Sequence, residues 1–244
     1  MPELANTRRD DRPTEGFSTT HLSSDLNRPV RLFLPADYQP KYAYPLVVVF
    51  HPEGGDEDAA ARLVPALSRR NYIAACPRGS VRLGLAPNGR PGFGWGHREP
   101  SEFLIETVAH ACREYHVHAE RIYFVGVGTG AEAAYRLGIT LSAEAAGVVA
   151  LNGRLPADND LAPARPKAAK RLRFFIGHGS SNPVIPVAAA RRDTRLLSAT
   201  GAEVQLNTYP TTNRLHPDMF RDVNRWIMGA VNTDPEAFAT PVLG

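Results

Sequence analysis

A chain of 244 residues with 43% hydrophobic content is long enough for one sizeable core, and 28 Lys and Arg against 25 Asp and Glu leave a net charge of only +3. That balance supplies no basic stripe and no RNA- or DNA-binding motif is present, so nucleic acid is excluded as an expected partner. No run approaches the roughly 20 apolar residues that cross a bilayer, and the polar start from Met1 to Glu15 lacks the apolar segment of a secretory signal; a soluble, cytoplasmic protein is expected.

Residues 1–14 read as an N-terminal tail. Gly16 to Leu22 and Val30 to Pro35 then alternate as half-buried strands do, and the two are expected to pair at a sheet edge. Leu46 to Phe50 is a continuous β-branched run suited to a central parallel strand. It ends at His51-Pro52-Glu53-Gly54-Gly55, a loop before a helix expected over 57–69. Tyr72 to Pro77 is the next strand, followed by a Gly/Pro-rich loop over 78–100 that contains Trp95 and is long enough to form a lid or a site wall. Ser101 is placed to cap a helix whose apolar face is Ile105, Val108, Ala109 and Cys112. Two cysteines, Cys76 and Cys112, match neither a disulfide framework nor metal-ligand spacing and are expected to be buried thiols.

Further strands are expected at Ile122 to Val127, Gly147 to Leu151, Leu172 to Gly177 and Glu203 to Tyr209. A helix is expected over 186–199, and Met219, Val223, Trp226 and Ile227 mark the apolar face of a last one. Strands alternating with helices imply a doubly wound, mostly parallel α/β sheet with right-handed crossovers, in one domain over 15–230 with a C-terminal tail over 231–244.

The stretch from Arg121 to Ala134 organises this plan. An apolar strand meets Gly126-Val127-Gly128-Thr129-Gly130 and continues into an alanine-rich helix, which resembles the strand, sharp turn and helix of the nucleophile elbow in α/β-hydrolases. Three other stretches resemble the esterase and phospholipase/carboxylesterase group of that superfamily: His51 to Gly55, like its oxyanion loop; His178-Gly179-Ser180-Ser181-Asn182-Pro183, like its acid-bearing segment; and Tyr209 to Asn213, like its base-bearing segment. They stand in the order nucleophile, acid, base that the fold requires. A dinucleotide-binding domain, the other reading of a glycine-rich turn, needs that turn after the first strand and an acid about 20 positions later, where only Glu144 is near.

The resemblance implies an acyl-transfer site, yet each of its catalytic positions is substituted. Acyl transfer needs an oxygen or sulfur nucleophile, a base, and a carboxylate to orient the imidazole. Gly128 offers no nucleophile, Asn182 keeps the size of aspartate without its charge, and Asn213 has no proton equilibrium near neutral pH. The resemblance assigns the oxyanion-hole positions to Glu53 and Thr129, and the pocket to His51, Trp95, Arg98 and His216 together with the triad-equivalent residues. The preferred reading is a catalytically degenerate hydrolase that binds a small molecule or a partner and needs no cofactor. A working carboxylic-ester hydrolase using Thr129 with His216, and a structural subunit that forms a homo-oligomer or pairs with an active paralogue, are the alternatives. His116 and His118 diverge on a helix and bring no further ligand with them, so no metal site is expected.

Overall fold

The computed structural model describes residues 15–86, 89–96, 101–156 and 172–233. The expected tail over 1–14, Arg98, the residues after 233 and nearly all of the Pro-rich connection after Pro156 lie outside the described residues.

Among the described residues ten strands form: β1 (Gly16–Leu22), β2 (Asp25–Leu34), β3 (Tyr44–Phe50), β4 (Ile73–Pro77), β5 (Val81–Leu85), β6 (Pro91–Gly94), β7 (Val117–Val127), β8 (Ala145–Leu151), β9 (Arg173–Gly179) and β10 (Glu203–Tyr209). The main sheet has the order β1-β2-β4-β3-β7-β8-β9-β10. β1, β2 and β4 pair antiparallel, and from β4 onward every neighbour is parallel. Helices α1 (Glu57–Ala61), α2 (Val64–Leu67), α3 (Ser101–Glu114), α4 (Gly130–Thr140), α5 (Val187–Ala199) and α6 (Pro217–Thr233) are divided between its faces. The doubly wound, mostly parallel architecture expected from the sequence is the one observed.

Side chains of a strand alternate between faces, and here they sort into two cores. Val48, Phe50, Phe124, Val148 and Ile176 meet α3, α4 and α5 through Phe103, Ala134, Leu137, Ala190 and Leu197. Their neighbours Val47, Val49, Tyr123, Val125 and Phe175 meet α1, α2 and α6 through Ala60, Leu67, Val223 and Trp226. β3 is buried along its whole length, which explains its unbroken apolar run.

Four details depart from expectation. The helix over 57–69 is broken into α1 and α2, because Pro65 has no N–H to donate to Ala61 and its ring would crowd that carbonyl. The loop over 78–100 contains a hairpin, β5 antiparallel to β6, outside the main sheet. Helix α3 buries Phe103, Leu104, Thr107 and Ala111, whereas Ile105, Ala109 and Cys112 face outward. The hydroxyl of Thr107 donates to the Phe103 carbonyl (2.8 Å), which lets a polar residue join the core. Finally, α6 continues to Thr233, past the end expected for the domain.

Candidate functional site

The carboxyl ends of β3, β7, β8, β9 and β10 converge, as ligand sites of open α/β sheets do. At the end of β3 the His51 ring is fully buried. Its Nε2 accepts the Gly79 N–H (2.9 Å), so the proton resides on Nδ1, which lies 2.9 Å from the Pro52 carbonyl and donates to it. Trp95 Nε1 donates to the His51 carbonyl (2.8 Å), and its ring packs on Phe50 and His51. His51 is therefore a wedge beneath Trp95, with both ring nitrogens committed to the backbone, rather than a surface that meets a ligand. The hairpin is tied to the same loop: Gly54 N–H donates to Phe93 O (2.9 Å) and Phe93 N–H to Gly55 O (2.8 Å).

At the end of β7 the three glycines of the turn differ in what surrounds them. A Cβ on Gly126 would stand 2.3 Å from the Gly130 carbonyl, and one on Gly130 would stand 2.5 Å from the Phe50 and His51 carbonyls. Both sites demand glycine because backbone approaches backbone there. Gly128 instead has φ +57°, and the nearest atom to a Cβ built on it is Pro52 Cβ at 3.5 Å, ordinary contact. The turn thus holds its apex in the left-handed region with room for a side chain, and the chain places none there. Thr129 precedes α4 with φ −67°, and its hydroxyl is buried with no hydrogen-bond partner among the described residues.

A cleft of about 260 Å³ opens beside this turn, between the hairpin and the first turns of α4. Val81, Leu83 and Trp95 give it an apolar wall; Glu53, Arg136 and Arg154 give it charge. Glu53 is exposed and belongs to the cleft at the same time. Arg154 Nε is bound by Glu132 Oε1 (3.0 Å).

The loop after β9 carries Asn182, which is 5% exposed. Its Oδ1 accepts the Val184 and Ile185 N–H groups (2.9 and 3.1 Å), while Nδ2 has no partner among the described residues. His178 Nε2 lies 2.8 Å from the Ile185 carbonyl and braces the same turn. After β10, Asn213 is exposed, and the Thr212 hydroxyl stands at the limit of hydrogen bonding from it (3.5 Å). His216 is half-buried and stacks on Tyr209; its Nδ1 accepts the Asp218 N–H (3.2 Å) and lies 3.6 Å from the Asp218 carboxylate. Burial drives the Tyr209 phenol well above its ordinary range, so it stays protonated and donates to Asp222 Oδ2 (2.8 Å), anchoring this loop to α6.

Sequence reasoning missed Asn152, the residue that joins these loops. At the end of β8 it is buried with φ +52°. Its Oδ1 accepts the Gly179 N–H (2.8 Å), its Nδ2 donates to Arg214 O (3.2 Å), and its own N–H donates to Gly177 O (2.8 Å). The preceding Leu151 carbonyl accepts the Gly128 N–H (2.9 Å). One side chain thus links the loops after β8, β9 and β10, and its neighbour holds the elbow. The available signal was Asn-Gly directly after a buried strand, since asparagine tolerates the left-handed region better than most residues. No metal-ligating cluster occurs among the described residues.

The model of the phospholipase/carboxylesterase family matches residues 41–230. Acyl-protein thioesterase 1 of Mycosarcoma maydis is 29% identical over 112 residues, which is 44% of this chain and 47% of that protein. Its namesake in Debaryomyces hansenii is 26% identical over 116 residues, 47% of this chain and 50% of that protein; the chain spans about half the length of the curated relatives it matches. Among solved structures, a carboxylesterase from Mesorhizobium loti superposes with a TM-score of 0.67 at 18% identity over 86% of this chain and 99% of that one. The Bacillus cereus carboxylesterase gives 0.65 at 20% identity over 85% and 96%, and Zea mays acyl-protein thioesterase 2 gives 0.61 at 18% over 82% and 97%. At these identities the superpositions speak for the fold, and the family match carries the assignment: the chain belongs to the phospholipase/carboxylesterase family of the α/β-hydrolases.

Proposed function

We propose that this chain is a non-catalytic member of its family, a binding protein that uses the cleft beside the elbow to hold a small molecule. The observation that carries this reading is the apex itself: Gly128 is held at φ +57° with space for a side chain and has none. Asn182 supports it, because its Oδ1 is spent on two backbone N–H groups and what remains is an amide donor, where a triad needs a carboxylate acceptor. Asn213, exposed on the neighbouring loop, has no basic nitrogen. Binding through the oxyanion site and pocket alone leaves about 10³ to 10⁴-fold acceleration over water in a disabled triad enzyme, far below useful ester turnover.

The test pairs hydrolysis of a short-chain nitrophenyl ester with labelling by a fluorophosphonate, on the natural chain and on the triple variant Gly128→Ser, Asn182→Asp, Asn213→His. The natural chain is expected to show neither turnover nor label, and the triple variant to take up label. Stoichiometric labelling of the natural chain overturns the reading.

A second reading, hydrolysis through rearranged residues, is favoured by the unpartnered Thr129 hydroxyl at the cleft and by the His216–Asp218 pair. Under it, Thr129→Val and His216→Gln would each abolish esterase activity already measurable in the natural chain.

A further inference from the structure

Helices α4 and α6 carry surface ion pairs. On α6, Asp218 meets Arg221 and Asp222 meets Arg225; from α4, Glu132 holds Arg154. Helix α5 departs from this habit. Its outward residues include Arg191, Arg192, Arg195 and Leu196, and its sole acid, Asp193, is 1% exposed. Asp193 is fully engaged from within, accepting the Leu155 N–H (2.7 Å) and bonds from Arg192. Arg191 and Arg195 are exposed and have no ion pair among the described residues.

An apolar pit adjoins this basic face. At the amino-terminal end of α5 a pit of about 190 Å³ is lined by Leu155, Val184, Ile185 and Ala189, with Arg154 and Arg192 also bordering it. Val184 is 69% exposed, and Leu196, one face further along the helix, is 52% exposed. Ala189, Arg192 and Leu196 follow the spacing that puts residues on one side of a helix. The stripe therefore covers about two turns of the helix, roughly 10 Å at about 1.5 Å per residue.

We propose that the outer face of α5 docks an acidic segment of another protein, which places one aliphatic side chain in the pit and its carboxylates against Arg191, Arg192 and Arg195. A concave apolar pit bordered by Arg154 and Arg192, with Arg191 and Arg195 further round the exposed side of the same helix, can anchor a single side chain while the charges meet carboxylates around it. The unbalanced charge supplies the complementarity that selects an acidic partner and steers its approach. A bilayer has no side chain to fill a concavity, and a small anion would leave most of the stripe uncovered. This inference is independent of whether the elbow site is catalytic.

The probe is a synthetic peptide, acetyl-Glu-Glu-Leu-Glu-Glu-Leu-Glu-Glu-amide, added to the full ¹⁵N-labelled chain at low salt while amide resonances are followed. Shifts are expected to concentrate between Val184 and Ala199. The charge reversal Arg191→Glu with Arg195→Glu should weaken binding by at least about tenfold, and a peptide with Lys in place of every Glu should bind the reversed chain instead. Should the double variant melt early, Val184→Glu tests the pit by the same titration. Shifts that fall elsewhere, or that ignore both variants, overturn the proposal, as does capture by phosphatidylserine vesicles of a chain that the peptide leaves unmoved.

Discussion

The flanking glycines of the elbow and its apex look alike in sequence and answer to different constraints. Gly126 and Gly130 are glycine because carbonyl groups of neighbouring segments occupy the space where a Cβ would go; at Gly128 that space is open and only the backbone dihedral is unusual. The difference separates what the fold requires from what chemistry once placed on it would require. A residue fixed by packing cannot change without moving its neighbours, whereas one fixed only by its dihedral can change at modest cost.

The most severe way to probe this contrast is Gly130→Ala, whose methyl would push into two carbonyls of the β3 end. Overpacking of this kind against backbone is expected to cost about 3 kcal/mol, read as a large drop in chemical-denaturation midpoint. A nearly unchanged midpoint would show that the close approach has slack. Next comes Asn152→Ala, which strips the partners from the Gly179 N–H and the Arg214 carbonyl and puts alanine at φ +52°. A loss of about 2 kcal/mol is expected, with faster amide exchange at Gly179. Gly128→Ser is the gentler member of the set. Its cost should be about 1 kcal/mol, the price of a side chain in the left-handed region, and a serine variant as stable as the natural chain would contradict the dihedral account.

The smallest effect lies far from the elbow and marks a region held by charge rather than by shape. Glu106 on α3 accepts the Ser23 hydroxyl and N–H and the Ser24 N–H at the β1–β2 turn. These bonds, the Ser23 and Ser24 contacts first, draw its carboxyl down to about 2. Because the folded value lies below the ordinary carboxylate range, the stabilisation is present at neutral pH and disappears as pH falls from that range towards 2. Protection of the Ser23 and Ser24 amides, relative to their intrinsic exchange rates, should fall over that interval, and Glu106→Gln should remove the dependence. Unaltered exchange in the variant would show that the turn is held by its strands alone.

How much of this was legible in the sequence follows from burial. β3 announced itself because both of its faces are covered, and α6 because Met219, Val223, Trp226 and Ile227 are all buried at helical spacing. The elbow was recognisable because a buried strand must be interrupted by glycines where a helix folds back upon it. The β5–β6 hairpin left no such trace: every residue of β5 is exposed, so no alternation between faces is written into it. Helix α3 offered two stripes of apolar residues, and the buried one was masked by Thr107, whose hydroxyl is satisfied internally. At the site, motif order is what proposes Gly128, Asn182 and Asn213 for the chemical positions. That His51 serves the backbone, and that Asn152 binds three loops, are consequences of hydrogen bonds between segments distant in sequence, which no local pattern encodes.

The stitching by Asn152 has a consequence for the history such a chain can have. Its bonds run to backbone groups at Gly177, Gly179 and Arg214, and the elbow is held by the Leu151 carbonyl, so none of them consults the side chain at position 128 or 213. At position 182 the turn asks only for an oxygen acceptor, which asparagine and aspartate supply equally. To the folding polypeptide the side chains at these three positions matter little beyond the dihedral cost at 128, and a chain can exchange them without passing through an unfolded ancestor.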